Sequence, residues 1–225
     1  MMSSDFAAQR LKMVDCQIRT TDVTNAPIVD AMREIPREAF VPAHLRDFAY
    51  IDEDLLIAPA SERRPARYLM EPSPFAKLVQ LAAVRPTDMV LDVGCGTGYS
   101  SAVLSRLAAS VVALECDPEL ARQAKAALAL LGCDNVEVVE GELNGGVPSK
   151  APYDLILIGG AVEEVPAALV EQMKEGGRLV AVIGEGNAAE ARLYVKSQGL
   201  ASGRSGFNAA VKPLPGFQRA PSFVF

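Results

Sequence analysis

The stretch that most restricts what this chain can fold into is Met89-Val90-Leu91-Asp92-Val93-Gly94-Cys95-Gly96-Thr97-Gly98-Tyr99. An apolar run of strand length, an acid and then glycines at alternate positions, leading into an amphipathic segment, predicts a strand that turns directly into a helix. Such a junction sets bare backbone and a helix N-terminus beside a ligand. Glycine at 94, 96 and 98 lets the main chain take positive φ and lie close to it, so the stretch reads as a nucleotide-type pocket. A dinucleotide fingerprint needs its third glycine at the sixth position, which here is Tyr99. A phosphate loop needs Lys-Ser or Lys-Thr after the glycines, and neither follows.

What remains, acid-x-Gly-x-Gly-x-Gly, resembles the first motif of Rossmann-like S-adenosylmethionine methyltransferases. The next apolar run, Val111 to Leu114, ends in Glu115, a strand-end acid placed to accept both hydroxyls of a ribose. The cofactor expected is therefore S-adenosylmethionine, with S-adenosylhomocysteine as product. Its site is expected at Asp92, Gly94, Cys95, Gly96, Gly98, Glu115 and Cys116.

Composition narrows the alternatives. With 225 residues, 50% hydrophobic and 22% charged, the chain suits one large globular domain, or one with a helical appendage. No run approaches the ~18 to 20 apolar residues that span a bilayer. Asp5, Arg10, Lys12 and Asp15 interrupt the apolar region that a signal peptide requires, so a cytoplasmic protein without membrane contact is expected. Cys16, Cys95, Cys116 and Cys133 lie far apart beside a single histidine, His44, which argues for reduced thiols and against a zinc site or disulfides. His44 reads as a packing residue. A net charge of −6 without a basic cluster speaks against nucleic acid. Arg63, Arg64 and Arg67 form the densest basic group and read as a solvated loop. Glu163, Glu164 and Glu185 read as solvated carboxylates.

Along the chain, Ser3 or Ser4 is expected to cap a helix with Ala7, Leu11, Val14 and Ile18 on its buried stripe. Asn25 and Pro27 start a second helix with Ile28, Met32 and Ile35 inward. Residues 36–50 read as short helical turns and 51–69 as loop with a short strand at Leu55 to Ile57. A helix follows from Ser73, with Phe75, Leu78, Val79 and Ala82 on one face. Strands and helices then alternate: the glycine-motif strand, a helix from Tyr99 to Ala108, a strand to Glu115, a helix capped by Asp117 and stopped by Gly132, and strands Val136 to Val139 and Tyr153 to Ile158. A helix from Pro166 to Lys174 and a strand from Arg178 to Ile183 complete the series. These strands are apolar on both faces, as a covered parallel sheet requires. Ala191 to Lys196 and Gly206 to Val211, joined through Gly199 to Gly203, are expected as an antiparallel pair. The fold expected is α/β, a doubly wound Rossmann-like methyltransferase sheet with a C-terminal antiparallel hairpin. Residues 1–69 are expected as a helical and loop segment over the cleft, and 70–225 as the methyltransferase domain.

The residues resemble the protein-L-isoaspartate O-methyltransferase family over nearly the whole chain. Met13 to Ile18, Ala31 to Pro42 and Ala49 to Asp52 are similar to its helical lead-in, and Leu131 to Val136, Ala151 to Asp154 and Lys174 to Leu179 match later stretches. The family's substrate motif, Thr-Ile-Ser-x-Pro, falls on Tyr68, Leu69, Met70, Glu71 and Pro72, so its serine is replaced. Its Thr-Ala-Ala falls on Gly159, Gly160 and Ala161, and its Gly-Asp on Gly141-Glu142, which keeps a carboxylate to face the adenine amino group. The resemblance implies methyl transfer to a carboxylate of an isoaspartyl protein or peptide, or of a related small acid, by a monomer or homodimer. Tyr68, Met70 and Ser73 are the candidate catalytic positions. Another acceptor, or a catalytically silent cofactor-binding partner protein, are the rival readings.

Overall fold

The computed structural model describes residues 5–62 and 64–218. Seven strands form one sheet in the order β5-β4-β3-β6-β7-β8-β9: β3 (Met89–Val93), β4 (Ser110–Glu115), β5 (Val136–Glu140), β6 (Tyr153–Val162), β7 (Met173–Ile183), β8 (Glu190–Ser197) and β9 (Leu200–Asn208). The first five run parallel to one another, β8 is antiparallel to β7, and β9 is antiparallel to β8. The chain builds outward from β3 through β4 to β5, then returns to the other side of β3 with β6. Ligands of open α/β sheets bind at such a reversal, outside the carboxyl ends of the strands.

Both faces are covered. Val90, Leu155 and Leu157 pack into one core with helices α3 (Pro72–Ala82), α4 (Tyr99–Ser105) and α5 (Pro118–Leu130), whereas Leu91, Ile156 and Ile158 pack into the other with Leu143, Leu169 and Phe217. Alternate residues of one strand thus feed opposite cores, which accounts for the uninterrupted apolar runs. The N-terminal residues Met13, Val14, Ile18, Met32 and Phe40 belong to the first of these cores.

That lead-in differs from expectation at its start. Helix α1 (Phe6–Met13) is capped by Asp5, whose Oδ1 accepts from the Ala8 N–H; Ser3 and Ser4 lie outside the described residues. Ala7 and Leu11 face solvent, and the buried residues are Met13, Val14 and Ile18. A wider helical turn over Val14–Ile18 rotates the buried face away from the simple 3.6-residue stripe. Helix α2 (Ala26–Glu34) is capped by Asn25 and buries Ile28 and Met32, with Ile35 buried just beyond it. His44 is exposed on a short 3₁₀ turn, not packed.

Three later boundaries move. The short strand read at Leu55 to Ile57 is present as Leu55–Ala58 (β1), and it pairs with a second strand, Arg67–Leu69 (β2), where loop was expected. Helix α6 is only Ala167–Glu171, because Met173 already enters β7. The last hairpin turns at Gln198 and Gly199, both at positive φ, so β9 begins at Leu200 instead of Gly206. A two-residue turn with both residues left-handed suits the twist of a hairpin better than the longer connection read from the glycines.

Candidate active site

The carboxyl ends of β3, β4 and β6 converge on the glycine turn. Gly94, Gly96 and Gly98 all take positive φ (82°, 58° and 98°), a conformation that residues with a Cβ rarely adopt. A Cβ on Gly94 would lie 2.8 Å from the Leu214 side chain, and one on Gly96 would lie 2.8 Å from Ile57 Cδ1. The turn is therefore roofed by β1 from one side and by the C-terminal segment from the other. Near the end of β6, Gly160 admits that segment, since a Cβ there would meet Leu214 at 2.7 Å and the Lys212 carbonyl at 2.8 Å, whereas one on Gly159 would face the Val93 and Gly94 carbonyls at 3.3 Å. Ala161 donates to the Lys212 carbonyl (3.0 Å) and accepts from the Leu214 N–H (2.9 Å).

Glu115 ends β4 fully buried against this turn. Its Oε2 accepts from the Gly96 N–H (2.8 Å), and its Oε1 from the N–H groups of Cys116 (2.9 Å) and Asp117 (3.0 Å). Asp117 in turn caps α5 and is paired with Arg64 at 2.7 Å. The Cys116 thiol also donates to Oε1 (3.5 Å), and the remaining donors on Glu115 come from Arg67 of β2. Its Nη1 donates to Oε1 and its Nη2 to Oε2 (2.8 Å), and only 5% of its side chain is exposed. Arg67 was expected in a solvated loop; instead its charge is buried because a carboxylate on a distant strand neutralises it. Arg63, of the same basic group, lies outside the described residues.

Asp92 lies beneath the turn. Burial pushes its carboxyl up to about 6, against hydrogen bonds from Ser100 and Ser101 that favour the ionised form. Both serine hydroxyls donate to Oδ2 at 2.6 Å, and Oδ1 has no partner among the described residues. Cys95 is buried and Cys116 half-buried, with burial raising the thiol of Cys116 to about 11, so neither offers a thiolate at neutral pH. Glu142 is exposed, one residue beyond Gly141, whose N–H donates to the Glu115 carbonyl (3.1 Å).

Of the candidate catalytic positions, Tyr68 and Met70 line a cleft with Asp54, Arg67, Gly159 and Lys212. Ser73 stands apart, its Oγ donating to Thr21 Oγ1 (3.1 Å). The Lys212 ammonium lies 5.4 Å from the centre of the Tyr68 ring and has no ion pair among the described residues. Arg37, fully buried, donates to the Ala49 carbonyl (2.8 Å) and the Met70 carbonyl (2.7 Å), fastening the lead-in to the cleft wall. Sequence reasoning missed Arg67, Ile57, Lys212 and Leu214 as site residues. Only Gly160, which admits the C-terminal segment, carried a signal of the last two.

Residues 8–213 match the family described as protein-L-isoaspartate(D-aspartate) O-methyltransferase. This chain belongs to that family. A protein-L-isoaspartate O-methyltransferase of Roseiflexus castenholzii is 40% identical over 195 residues, covering 87% of this chain and 86% of the relative. One from Koribacter versatilis is 39% identical over 179 residues, covering 80% and 78%. A solved structure of a protein-L-isoaspartate O-methyltransferase superposes with a TM-score of 0.80 at 29% identity, over 92% of this chain and 66% of that one. The fold is shared with a Plasmodium falciparum structure in complex with S-adenosyl-L-homocysteine (TM-score 0.74, 19% identity, covering 90% of this chain and 96% of that one). Family membership makes the chain an S-adenosylmethionine-dependent methyltransferase. Among the described residues no helix is long and apolar enough to cross a membrane.

The residues present fit that cofactor. Glycines that tolerate no Cβ, a carboxylate at the end of the second strand and a buried Asp92 oxygen without a partner make a donor and acceptor set suited to an adenosine and an amino-acid group.

Proposed function

We propose that this chain methylates the carboxylate of an isoaspartyl protein or peptide, with the cofactor held across the glycine turn and its ribose on Glu115. The observation that carries the reading is Glu115, fully buried at a strand end and oriented by three backbone N–H groups toward the turn. S-adenosylmethionine supplies a methyl group on a sulfonium, already activated for displacement.

The protein's own part is alignment and exclusion of water. A carboxylate acceptor is ionised at neutral pH and needs no base. The free ammonium of Lys212, beside Tyr68 and Met70, supports an anionic acceptor in that cleft. It offers charge where the thioether of Met70 offers no donated hydrogen bond. Ile57 and Leu214 roof the turn and keep it dry. The segment 1–69, whose residues Met13, Met32 and Phe40 share one core with the sheet, acts as the cover of this cleft, and 70–225 as the catalytic domain.

The test supplies S-adenosylmethionine carrying a labelled methyl and an isoaspartyl peptide, with the ordinary aspartyl peptide as control. The expected result is label on the isoaspartyl peptide alone that is released as methanol in mild base, the behaviour of a methyl ester. Label that survives base, or equal labelling of both peptides, would refute this acceptor.

A further inference from the structure

Glu115 is already fully engaged. Six donors converge on its two oxygens, three from backbone N–H groups, one from the Cys116 thiol (3.5 Å) and two from the Arg67 guanidinium, where a carboxylate offers about four lone-pair positions. A ribose presenting two hydroxyls to the same oxygens needs the places that Arg67 fills. Arg67 also reaches the Gly94 carbonyl (Nη2 at 3.4 Å), so its side chain lies along the turn that the cofactor must cover. The space left there is correspondingly small. The cavity lined by Ile57, Tyr68, Met70, Gly94, Gly96 and Tyr99 is about 30 Å³, room for a water and far short of a nucleoside.

A second carboxylate lies near the displaced cation, across a cleft of about 10 Å³ that must widen to admit the guanidinium. Arg67 lines the neighbouring cleft together with Asp54. The Asp54 carboxylate accepts from the Glu71 N–H (3.0 Å) and has no ion pair within salt-bridge distance among the described residues. Its cationic neighbours are Lys212 and Arg37, the latter fixed on two carbonyls. Moving the guanidinium from Glu115 to Asp54 exchanges one carboxylate partner for another within a single cleft, through rotation of a side chain on a three-residue strand.

We propose that Arg67 is a built-in competitor for the ribose subsite: cofactor and guanidinium exchange on Glu115, and Arg67 passes to Asp54 as the cofactor enters. The proposal rests on the placement of the ribose on Glu115 given above. Its consequence is that the measured affinity equals the intrinsic affinity reduced by the fraction of molecules in which Arg67 has left Glu115. Arg67 then sets the cofactor concentration at which the enzyme loads.

Calorimetry with S-adenosylhomocysteine, which lacks the sulfonium charge, tests it on the full chain. Arg67→Met, similar in length and uncharged, is expected to bind about tenfold tighter or more than the wild type. Equal or weaker binding overturns the proposal. Adding Glu115→Gln to Arg67→Met separates the two claims. If the double variant binds less tightly than Arg67→Met while Arg67→Met gains nothing over wild type, the ribose placement stands and the competition fails. If Glu115→Gln makes no difference in that background, the placement itself fails and the proposal with it. A crystal structure of the wild-type chain with S-adenosylhomocysteine gives the answer even if the variants do not fold: ribose on Glu115 with Arg67 withdrawn is expected, and Arg67 still paired to Glu115 overturns the exchange.

Discussion

At the scale of single residues, the site is governed by what burial does to charge. Glu115 and Arg67 are nearly inaccessible and depend on each other. Glu115→Gln is expected to cost about 3 to 5 kcal/mol of stability, since the guanidinium is left buried without a counter-charge. Arg67→Met with Glu115→Gln should recover most of that loss, and a double-mutant cycle by urea unfolding checks the coupling. Asp92 behaves oppositely. Folding lifts its carboxyl from 3.8 to about 6, so the folded state holds the extra proton between those values and the stability contributed by protonated Asp92 is lost as pH rises through them. Asp92→Asn carries no such loss. It should therefore gain on the wild type by up to about 3 kcal/mol between pH 4 and pH 7, read from paired unfolding curves. Glu115 was legible in sequence because an acid closing an apolar strand is a local pattern. Arg67 was not, because its partner lies 48 residues away and nothing periodic surrounds it.

Among the elements, the glycine turn and the parallel strands were legible from uninterrupted apolar runs and from the caps at Asn25 and Asp117, whose side chains accept the expected N–H groups. Short elements held by distant partners were not. The three residues of β2 carry no alternation of their own and are strands only because β1 pairs with them. Likewise, α6 stops early because the sheet claims Met173. The lead-in meets the cleft through Arg37, whose two bonds to backbone carbonyls no spacing reveals. Arg37→Met should cost about 3 to 6 kcal/mol, the sum of two charge-assisted bonds. Because one of those carbonyls belongs to Met70, the variant should also loosen the cleft wall. Urea midpoints report the first effect, and faster amide exchange near residue 70 reports the second.

For the molecule as a whole, chain direction explains why the site lies where it does. The reversal between β3 and β6 brings Gly94 beside Gly159, where a Cβ would lie 3.3 Å from the Gly94 carbonyl. The C-terminal segment then reaches the same point, carrying Lys212 and Leu214. The sheet topology and the cofactor class follow from the sequence pattern; the roof over the site, built from β1 and the C-terminal segment, rests on contacts between residues far apart in the chain and leaves no local pattern. All of this turns on the cofactor lying across the glycine turn and against the end of β4. Hydrogen–deuterium exchange of the full chain with and without S-adenosylhomocysteine tests it most directly, because binding there must slow opening of those backbone groups. Slowed exchange is expected in peptides covering residues 94–99 and 115–117, and slowing confined to other regions, with these unchanged, would contradict that placement.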